Sequence, residues 1–185
     1  MVLRTAPSGE FDRIITLYTK ELGLLGVRAV GSRRITSKLS EHLNPLNLIH
    51  ARLVHKNQFT VTSALTIERL GQGRSHPQAI ERLLALVAFL EALLPVGLSD
   101  LRLWYTALKS FRSRTVDFSP FLKLLGYDPK HASCAVCASR HVTAFTLKTH
   151  EFMCAKCASR VPRRDFVWLE SQSQHIANAI LTTNR

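Results

Sequence analysis

Residues 12–31, DRIITLYTKELGLLGVRAVG, decide the fold that the sequence predicts for the N-terminal third of the chain. Along Asp12–Thr19 the apolar residues alternate, with Ile15 and Leu17 on one face, and this period of two is typical of a β-strand. A Glu-Leu-Gly turn then leads into a second apolar run, Gly23–Gly31. The stretch therefore predicts two neighbouring strands joined by a tight turn.

Three further runs bring the predicted strands to five. They are Val2–Thr5, Asn47–His55 and Gln58–Glu68, and SKLSEHL (37–43) predicts one short helix between the third and fourth strands. Five strands with a helix at that point is the order of an OB-fold, a small barrel that often binds single-stranded nucleic acid. Residues 1–70 are therefore predicted to form a five-stranded OB-fold β-barrel.

Residues 71–130 predict a small α-helical domain. After the turn-rich linker Gly71–Gln78, apolar residues recur at helical spacing from Ile80 to Leu94. Asp100 is a candidate cap for a second helix that runs through Phe111, and a third helix is predicted from Asp117–Ser119 up to Gly126. These apolar stripes favour a helix-bundle core. A groove for a partner is the alternative, because basic residues rim the same region, namely Arg102, Lys109, Arg112 and Arg114.

All four cysteines lie in two nearly identical segments, CAVCASR (134–140) and CAKCASR (154–160). Their spacing, C-x2-C-x16-C-x2-C, lies within the range of four-thiolate zinc sites. Four thiolates fill a tetrahedral shell and leave no position for a catalytic water, so the sequence predicts one structural Zn2+. The predicted ligands are Cys134, Cys137, Cys154 and Cys157.

Two alternatives for the cysteines stay open at this point: a histidine ligand from His131, His141 or His150, and a redox dithiol. Residues 142–147 alternate like a strand, and a turn is predicted near 149–151, so residues 131–160 are interpreted as a zinc-ribbon-like module. Ala138 and Ala158 each follow a cysteine pair, where a left-handed turn often requires glycine. The C-terminal segment 161–185 is expected to pack on the helical domain, with a short helix over Ser171–Asn184.

The chain carries 25 Lys and Arg against 13 Asp and Glu, a formal net charge of +12, spread over its whole length. Such a field attracts polyanions, of which nucleic acid is the commonest. The segment VRAVGSRRITSK (27–38) concentrates the candidate DNA contacts, with Ser32, Thr36 and Ser37 as possible hydroxyl donors. A solvated basic loop without a ligand is the alternative interpretation. The candidate contacts are Arg28, Arg33, Arg34 and Lys38.

Other classes of protein are disfavoured. The most apolar stretch, Leu83–Leu98, is interrupted by Glu91 and Pro95 and is too short to span a bilayer, and the start lacks the apolar core of a secretory signal. A cytoplasmic protein that does not bind membranes is therefore expected, and its basic charge favours an association with the nucleoid. The sequence shows no Ser/His/Asp order, phosphate-cradling glycine loop or paired carboxylates, so we expect no enzymatic activity.

Residues 2–53 contain, in order, Gly9-Glu10, Thr19-Lys20-Glu21-Leu22-Gly23, Gly31-Ser32-Arg33-Arg34, Ser37-Lys38 and Leu43-Asn44-Pro45. Together these motifs resemble the start of the bacterial DNA repair protein RecO family. The segment FLKLLGYDPKHASCAVC (121–137) is also similar to that family's approach to its zinc pairs. Val30 stands where the family's basic loop often carries lysine, and His150-Glu151 where glycines are common.

The resemblance implies a multidomain α+β protein in which an OB-fold, a helical domain and a four-cysteine zinc module follow one another. It further implies binding of single- and double-stranded DNA, strand annealing, and loading of RecA alongside RecR and single-strand-binding protein. Arg33, Arg34 and Lys38 match the family's basic loop, and Arg112 and Arg114 are the nearest candidates for the acidic tail of single-strand-binding protein. The alternatives are a zinc-containing adaptor, or an RNA-binding protein, with weak DNA affinity.

Overall fold

The computed structural model describes residues 1–71, 77–113 and 116–169. It is a mixed α+β protein with a five-stranded sheet at the N-terminus, a helical region and a small three-stranded sheet beside the cysteines. The chain divides into two compact units. The sheet unit comprises Met1–His76 and Leu94–Trp104, and the cysteine unit comprises Pro77–Leu93 and Tyr105–Arg185.

The five strands of the sheet unit lie close to where the sequence predicts them. They run in the order β1-β2-β3-β5-β4, and all neighbouring pairs are antiparallel except β3 with β5. The strands are β1 Val2–Ser8, β2 Asp12–Thr19, β3 Gly23–Ala29, β4 Asn47–His55 and β5 Phe59–Arg69.

Alternation builds the core of this sheet. Ile15 and Leu17 of β2 are fully buried and pack with Val27 of β3, as the period of two predicts. Tyr18, on the other face of β2, is also buried, because its ring packs against that of Trp104 at 5.3 Å. The segment Leu94–Trp104 thus covers a second apolar surface of the sheet, which the sequence pattern of the strands alone did not indicate.

The predicted helix at residues 37–43 does not form. Residues 31–46, all described, make consecutive turns. Within residues 37–43 a single bond has the spacing of an α-helix, from the N–H of Leu43 to the carbonyl of Leu39 (3.2 Å), and one such bond does not offset the cost of ordering a helical turn. The side-chain amide of Asn47 donates to the carbonyls of Glu41 (3.3 Å) and His42 (3.0 Å) at the end of the segment.

The predicted helices of the middle region are confirmed. Helix α1 spans Pro77–Leu93, α2 spans Leu101–Arg112 and α3 spans Ser119–Leu124. The carboxylate of Asp100 accepts from the backbone N–H groups of Arg102 and Leu103, which is the predicted cap of α2. In the described part of the chain, no helix combines the length and apolar character that crossing a bilayer requires.

The rest of the cysteine unit consists of short elements. Strand β6 (Ala144–Thr146) pairs antiparallel with β7 (Phe152–Met153), which confirms the predicted hairpin. A third strand, β8 (Phe166–Trp168), pairs with the other edge of β6 and was not predicted from the sequence. Helix α4 covers only Ala155–Ala158. The predicted helix over Ser171–Asn184 and the linker residues 72–76 lie outside the described residues.

Replacement of Gly23 tests the close approach of the Leu94–Trp104 segment to the sheet. Gly23 has a φ of 67°, and a Cβ built there overlaps the backbone carbonyl of Leu98. We expect Gly23→Ala to lower the free energy of unfolding by about 3 kcal/mol, because both the left-handed backbone and the contact resist a side chain. Urea denaturation measures the change.

Gly26→Ala is the matched control. Gly26 lies on the same strand, and a Cβ there meets no atom within 4 Å. Its effect should stay within about 0.5 kcal/mol. Equal stability of the two variants would contradict the contact between Gly23 and Leu98.

Candidate metal centre and basic loop

The four cysteines come together at one point. Their sulfurs all lie within 4.8 Å of one another, and the Sγ atoms of Cys137 and Cys154 are 3.7 Å apart. A tetrahedral zinc with Zn–S bonds of about 2.3 Å places its sulfurs about 3.8 Å apart. The cluster therefore has the dimensions of a four-thiolate metal site.

Two different turns position the pairs. In the first, the backbone N–H of Ala138 donates to the carbonyl of Cys134 (2.8 Å), and Ala138 has a φ of 57°. The left-handed conformation expected at Ala138 is thus confirmed, with no glycine to relieve it. At Ala158 the expected left-handed turn is wrong. The residue ends the short helix α4, and its N–H donates to the carbonyl of Cys154.

The electrostatics of the cluster favour a bound cation. Burial raises the pKa of the Cys134 thiol, but the backbone N–H groups of Cys154, Cys137 and Val136 outweigh it and bring that pKa to about 6. Burial and the neighbouring sulfurs raise the pKa of Cys157 to about 12. Four thiolates this close repel one another, and a divalent cation at their centre removes that repulsion.

The histidine alternative gains no support from the geometry. Among the described residues, the group with the spacing of a metal site consists of the four cysteines, without a histidine. His131 and His141 are exposed, whereas His150 is held elsewhere, with its Nδ1 3.1 Å from the hydroxyl of Tyr127. His150 also has a φ of 56°, which explains physically why glycine suits this position.

The basic loop, residues 30–38, is anchored at its base by backbone contacts. The N–H of Arg33 donates to the carbonyl of Phe11 (2.8 Å), and its guanidinium donates to the carbonyl of Gly9 (3.0 Å). The guanidinium of Arg34 lies over the ring of Phe11, 5.1 Å from its centroid. The turn between β1 and β2 thus holds both arginines, which are exposed.

Asp12 fixes the start of the basic loop. Its carboxylate accepts from the N–H of Gly31 (2.7 Å) and from the guanidinium of Arg28 (2.6 and 2.9 Å). The Gly31 bond first, and then Arg28, hold the pKa of Asp12 below its ordinary value of 3.8. Sequence reasoning did not single out this residue, although an acid opening a strand in a basic segment was a signal.

The predicted phosphate contacts differ in what surrounds them. Arg33, Arg34 and Lys38 are exposed on the basic loop, whereas Arg28 is paired with Asp12. The hydroxyl of Ser32 is buried and donates to the carbonyl of Ala29 (2.9 Å), so it supports the turn instead of facing a ligand.

Two recesses in the sheet unit contain further basic side chains, Arg13 and Lys56, that sequence reasoning missed. Arg13 lines one recess of about 300 Å³ together with the predicted contact Arg33. Lys56 and Thr60 line another of about 350 Å³, and Thr60 pairs with Arg28 across β3 and β5. These cations extend the basic surface around the loop.

Of the two candidate residues for an acidic tail, Arg112 is described, and it is exposed in the last turn of α2. Arg114 lies outside the described residues.

A sheet carrying an anchored basic loop, followed by helices and a four-thiol cluster, defines a mixed α+β protein with a candidate structural metal centre. The family model described as Recombination protein O N terminal matches residues 1–69. The chain is 30% identical over 181 residues to the DNA repair protein RecO of Rubrobacter xylanophilus, covering 90% of this chain and 73% of that protein. It belongs to the DNA repair protein RecO family.

Two other relatives of the same name match most of the chain. The protein of Thermodesulfovibrio yellowstonii is 28% identical over 171 residues, covering 86% of this chain and 68% of the relative. That of Bacillus velezensis is 29% identical over 182 residues, covering 89% and 69%. The resemblance stated from the sequence motifs is thereby confirmed.

Replacement of a cysteine tests the metal site. Protein purified without added metal should contain one equivalent of zinc, measured by plasma emission spectrometry. Cys154→Ser should lose the zinc and lower the melting temperature by about 10 °C, because metal-binding energy is folding energy for such sites. Ser133→Ala, at an exposed position beside Cys134, is the control and should retain both. Unchanged stability of metal-free wild-type protein would show that the cluster has no structural metal.

Replacement of Asp12 tests the anchor of the basic loop. Because the folded pKa of Asp12 is lowered, its stabilisation is present above the unfolded value of 3.8 and is lost as the pH falls through the folded pKa. Asp12→Asn should therefore lower the melting temperature at pH 7, and the difference from wild type should shrink below pH 4. Calorimetry across pH measures this. A deficit that is constant with pH would contradict the charge-based role.

Proposed function

We propose that this protein is a non-enzymatic mediator of DNA repair and homologous recombination. In this proposal it binds single- and double-stranded DNA, anneals complementary strands, and helps to load RecA together with RecR and single-strand-binding protein. The observation that carries the proposal is the anchored basic loop on the five-stranded sheet, in a chain of the DNA repair protein RecO family. The chain covers about 70% of the relatives aligned over most of its length, so the activity of the whole protein is part of the proposal.

We further propose that the five-stranded sheet closes into an OB-fold barrel. The strand order β1-β2-β3-β5-β4 leaves β1 and β4 as the two edges that closure would join. Beside these edges, the N–H of Leu46, just before β4, donates to the carbonyl of Val2 in β1 (2.9 Å). Closure in this order would support the basic loop on a rigid frame.

Annealing follows from charge. Two complementary strands repel each other through their phosphates, and a protein that neutralises both backbones lowers this repulsion. The aromatic residues of the first 70 positions are engaged elsewhere: Tyr18 is buried, Phe11 lies under Arg34, and Phe59 packs on His55 at 4.5 Å. Backbone contacts should therefore dominate, and binding should be sensitive to salt and tolerant of sequence.

In this function one Zn2+ would be held by Cys134, Cys137, Cys154 and Cys157 and would be structural. The three strands beside the cluster are only three, two and three residues long, too short to be stable without a further constraint. When bound, the metal supplies a cross-link between the two cysteine pairs. Binding to DNA would place the protein in the cytoplasm at the nucleoid.

The alternative function is an adaptor, or an RNA-binding protein, with slight DNA affinity. One contact favours the adaptor: Asp12 already pairs with Arg28, so part of the basic charge at the start of the loop is neutralised within the protein. In that case the helices and the cysteine module would dock partners, and DNA binding would not depend on the loop arginines.

Replacement of Arg33 and Arg34 together separates these functions. The double variant Arg33→Ala/Arg34→Ala should bind a single-stranded oligonucleotide several-fold more weakly. Its log–log salt slope should fall by roughly 0.7 for each phosphate that the variant no longer neutralises. It should also lose the acceleration with which wild-type protein anneals complementary strands coated with single-strand-binding protein.

Arg163→Ala/Arg164→Ala is the charge-matched control, since it removes two exposed arginines from the other unit. It should keep the wild-type slope and annealing rate. An unchanged slope for the loop variant, or no annealing by wild-type protein, would support the adaptor function instead.

A further inference from the structure

Ile35, on the basic loop, is an exposed apolar side chain without a structural role. Its relative exposure is 104%, higher than that of any other large apolar residue in the described part of the chain. An isolated apolar residue on a surface needs no explanation by itself. The position of Ile35, however, is unusual in two independent respects, its backbone and its neighbours.

The backbone places Ile35 at the tip of a fixed turn. The N–H of Ser37 donates to the carbonyl of Arg34 (2.9 Å), which makes Ile35 and Thr36 the two central residues of a β-turn. Central turn positions favour proline, glycine and short polar residues, whereas β-branched apolar residues suit strands. Neither turn chemistry nor core packing thus accounts for an isoleucine here.

The base of the turn is held, so the tip has a defined direction. The N–H of Arg34 donates to the carbonyl of Gly31 (3.1 Å), and Gly31 in turn is bonded to Asp12. An apolar side chain on such a support does not need to be ordered when it meets a ligand, which lowers the entropic cost of binding.

The neighbours of Ile35 are cations. Arg33 and Arg34 precede it and Lys38 follows three residues later, all exposed. Cations of this kind bind phosphate oxygens, and what a single strand presents next to its phosphates is the face of an unpaired base. In proteins that bind the minor groove of duplex DNA, side chains of this type, including isoleucine, enter between stacked bases, so an aliphatic side chain can pack on the face of a base.

We propose that Ile35 is a base-contacting wedge, which packs against unstacked bases of single-stranded DNA while the flanking cations hold the backbone. The proposal rests on the function proposed above and adds a non-electrostatic contact to it. Because bases in a single strand are already unpaired, such a contact favours single strands over duplex. It would keep bases apart until a complementary strand arrives.

The test measures the binding of two oligonucleotides, one of mixed sequence and one of equal length with abasic sites. Wild-type protein should bind the abasic strand about fivefold more weakly, and Ile35→Ser should bind the normal strand more weakly by the same factor. The Ile35→Ser variant should bind the abasic strand no more weakly than wild-type protein does, because both changes remove the same interaction. The salt slope should not change, because neither Ile35→Ser nor the removal of bases from the oligonucleotide alters a charge.

Two variants complete the design. Ile35→Leu keeps an apolar side chain and should retain discrimination against the abasic strand. Leu65→Ser removes a different exposed apolar residue, 63% exposed on β5, and should bind as wild type does. Circular dichroism of all variants should match wild type, because neither side chain is buried.

The outcomes distinguish this proposal from the proposed function. Loss of binding in Arg33→Ala/Arg34→Ala with normal discrimination in Ile35→Ser would overturn the wedge and leave the function standing. If neither variant changed the binding of oligonucleotides, the loop would have no part in DNA binding. If Ile35→Ser bound the oligonucleotides normally but lost binding to phosphatidylserine vesicles, the apolar tip would be a membrane contact and the wedge would be wrong.

Discussion

The carboxylate of Asp12 is the interaction on which the shape of the basic surface depends. In a chain with a net charge of +12, neighbouring arginines repel one another, and a loop that carries them tends to spread. Asp12 opposes this by joining β2 to Gly31 and to Arg28, at the point where the chain leaves β3. Asp12 thus neutralises part of the positive charge of Arg28, and it fixes the start of the loop that carries Arg33 and Arg34.

The cysteine cluster constrains the chain in the other unit, where the strands are short. Strands of two or three residues contribute few ladder hydrogen bonds, and the cluster core around Ala144, Met153 and Phe166 is small. A segment of this size cannot offset its conformational entropy by burial alone. A bound cation would close the chain segment between the two cysteine pairs, and it would stabilise the left-handed turn at Ala138, which no glycine relaxes.

The sequence predicted the structure correctly where a regular spacing of residues is compatible with only one geometry. Alternation at Ile15 and Leu17 located β2, and the cysteine spacing identified the four residues that the structure brings together. It failed where a segment is too short to sustain the structure that its composition favours. The turn residues 37–43 have a helix-like composition, yet they form only one bond of helical spacing, from Leu43 to Leu39. Strand β8 was missed because its partner β6 is some twenty residues away in the sequence.

The basic loop shows the same limit of prediction from sequence. Counting charges selects Arg28 and Arg33 equally. The guanidinium of Arg28 faces an internal carboxylate, whereas that of Arg33 donates to the backbone carbonyl of Gly9, which leaves its charge intact. Carbonyl partners orient a guanidinium without neutralising it, so an arginine held in this way keeps its attraction for phosphate while losing little entropy on binding. Affinity for a polyanion therefore depends less on the number of arginines than on which acceptors hold them, and this depends on contacts between residues far apart in sequence. In the proposed function, the loop arginines would therefore contribute more to DNA binding than the larger number of basic residues spread over the rest of the chain.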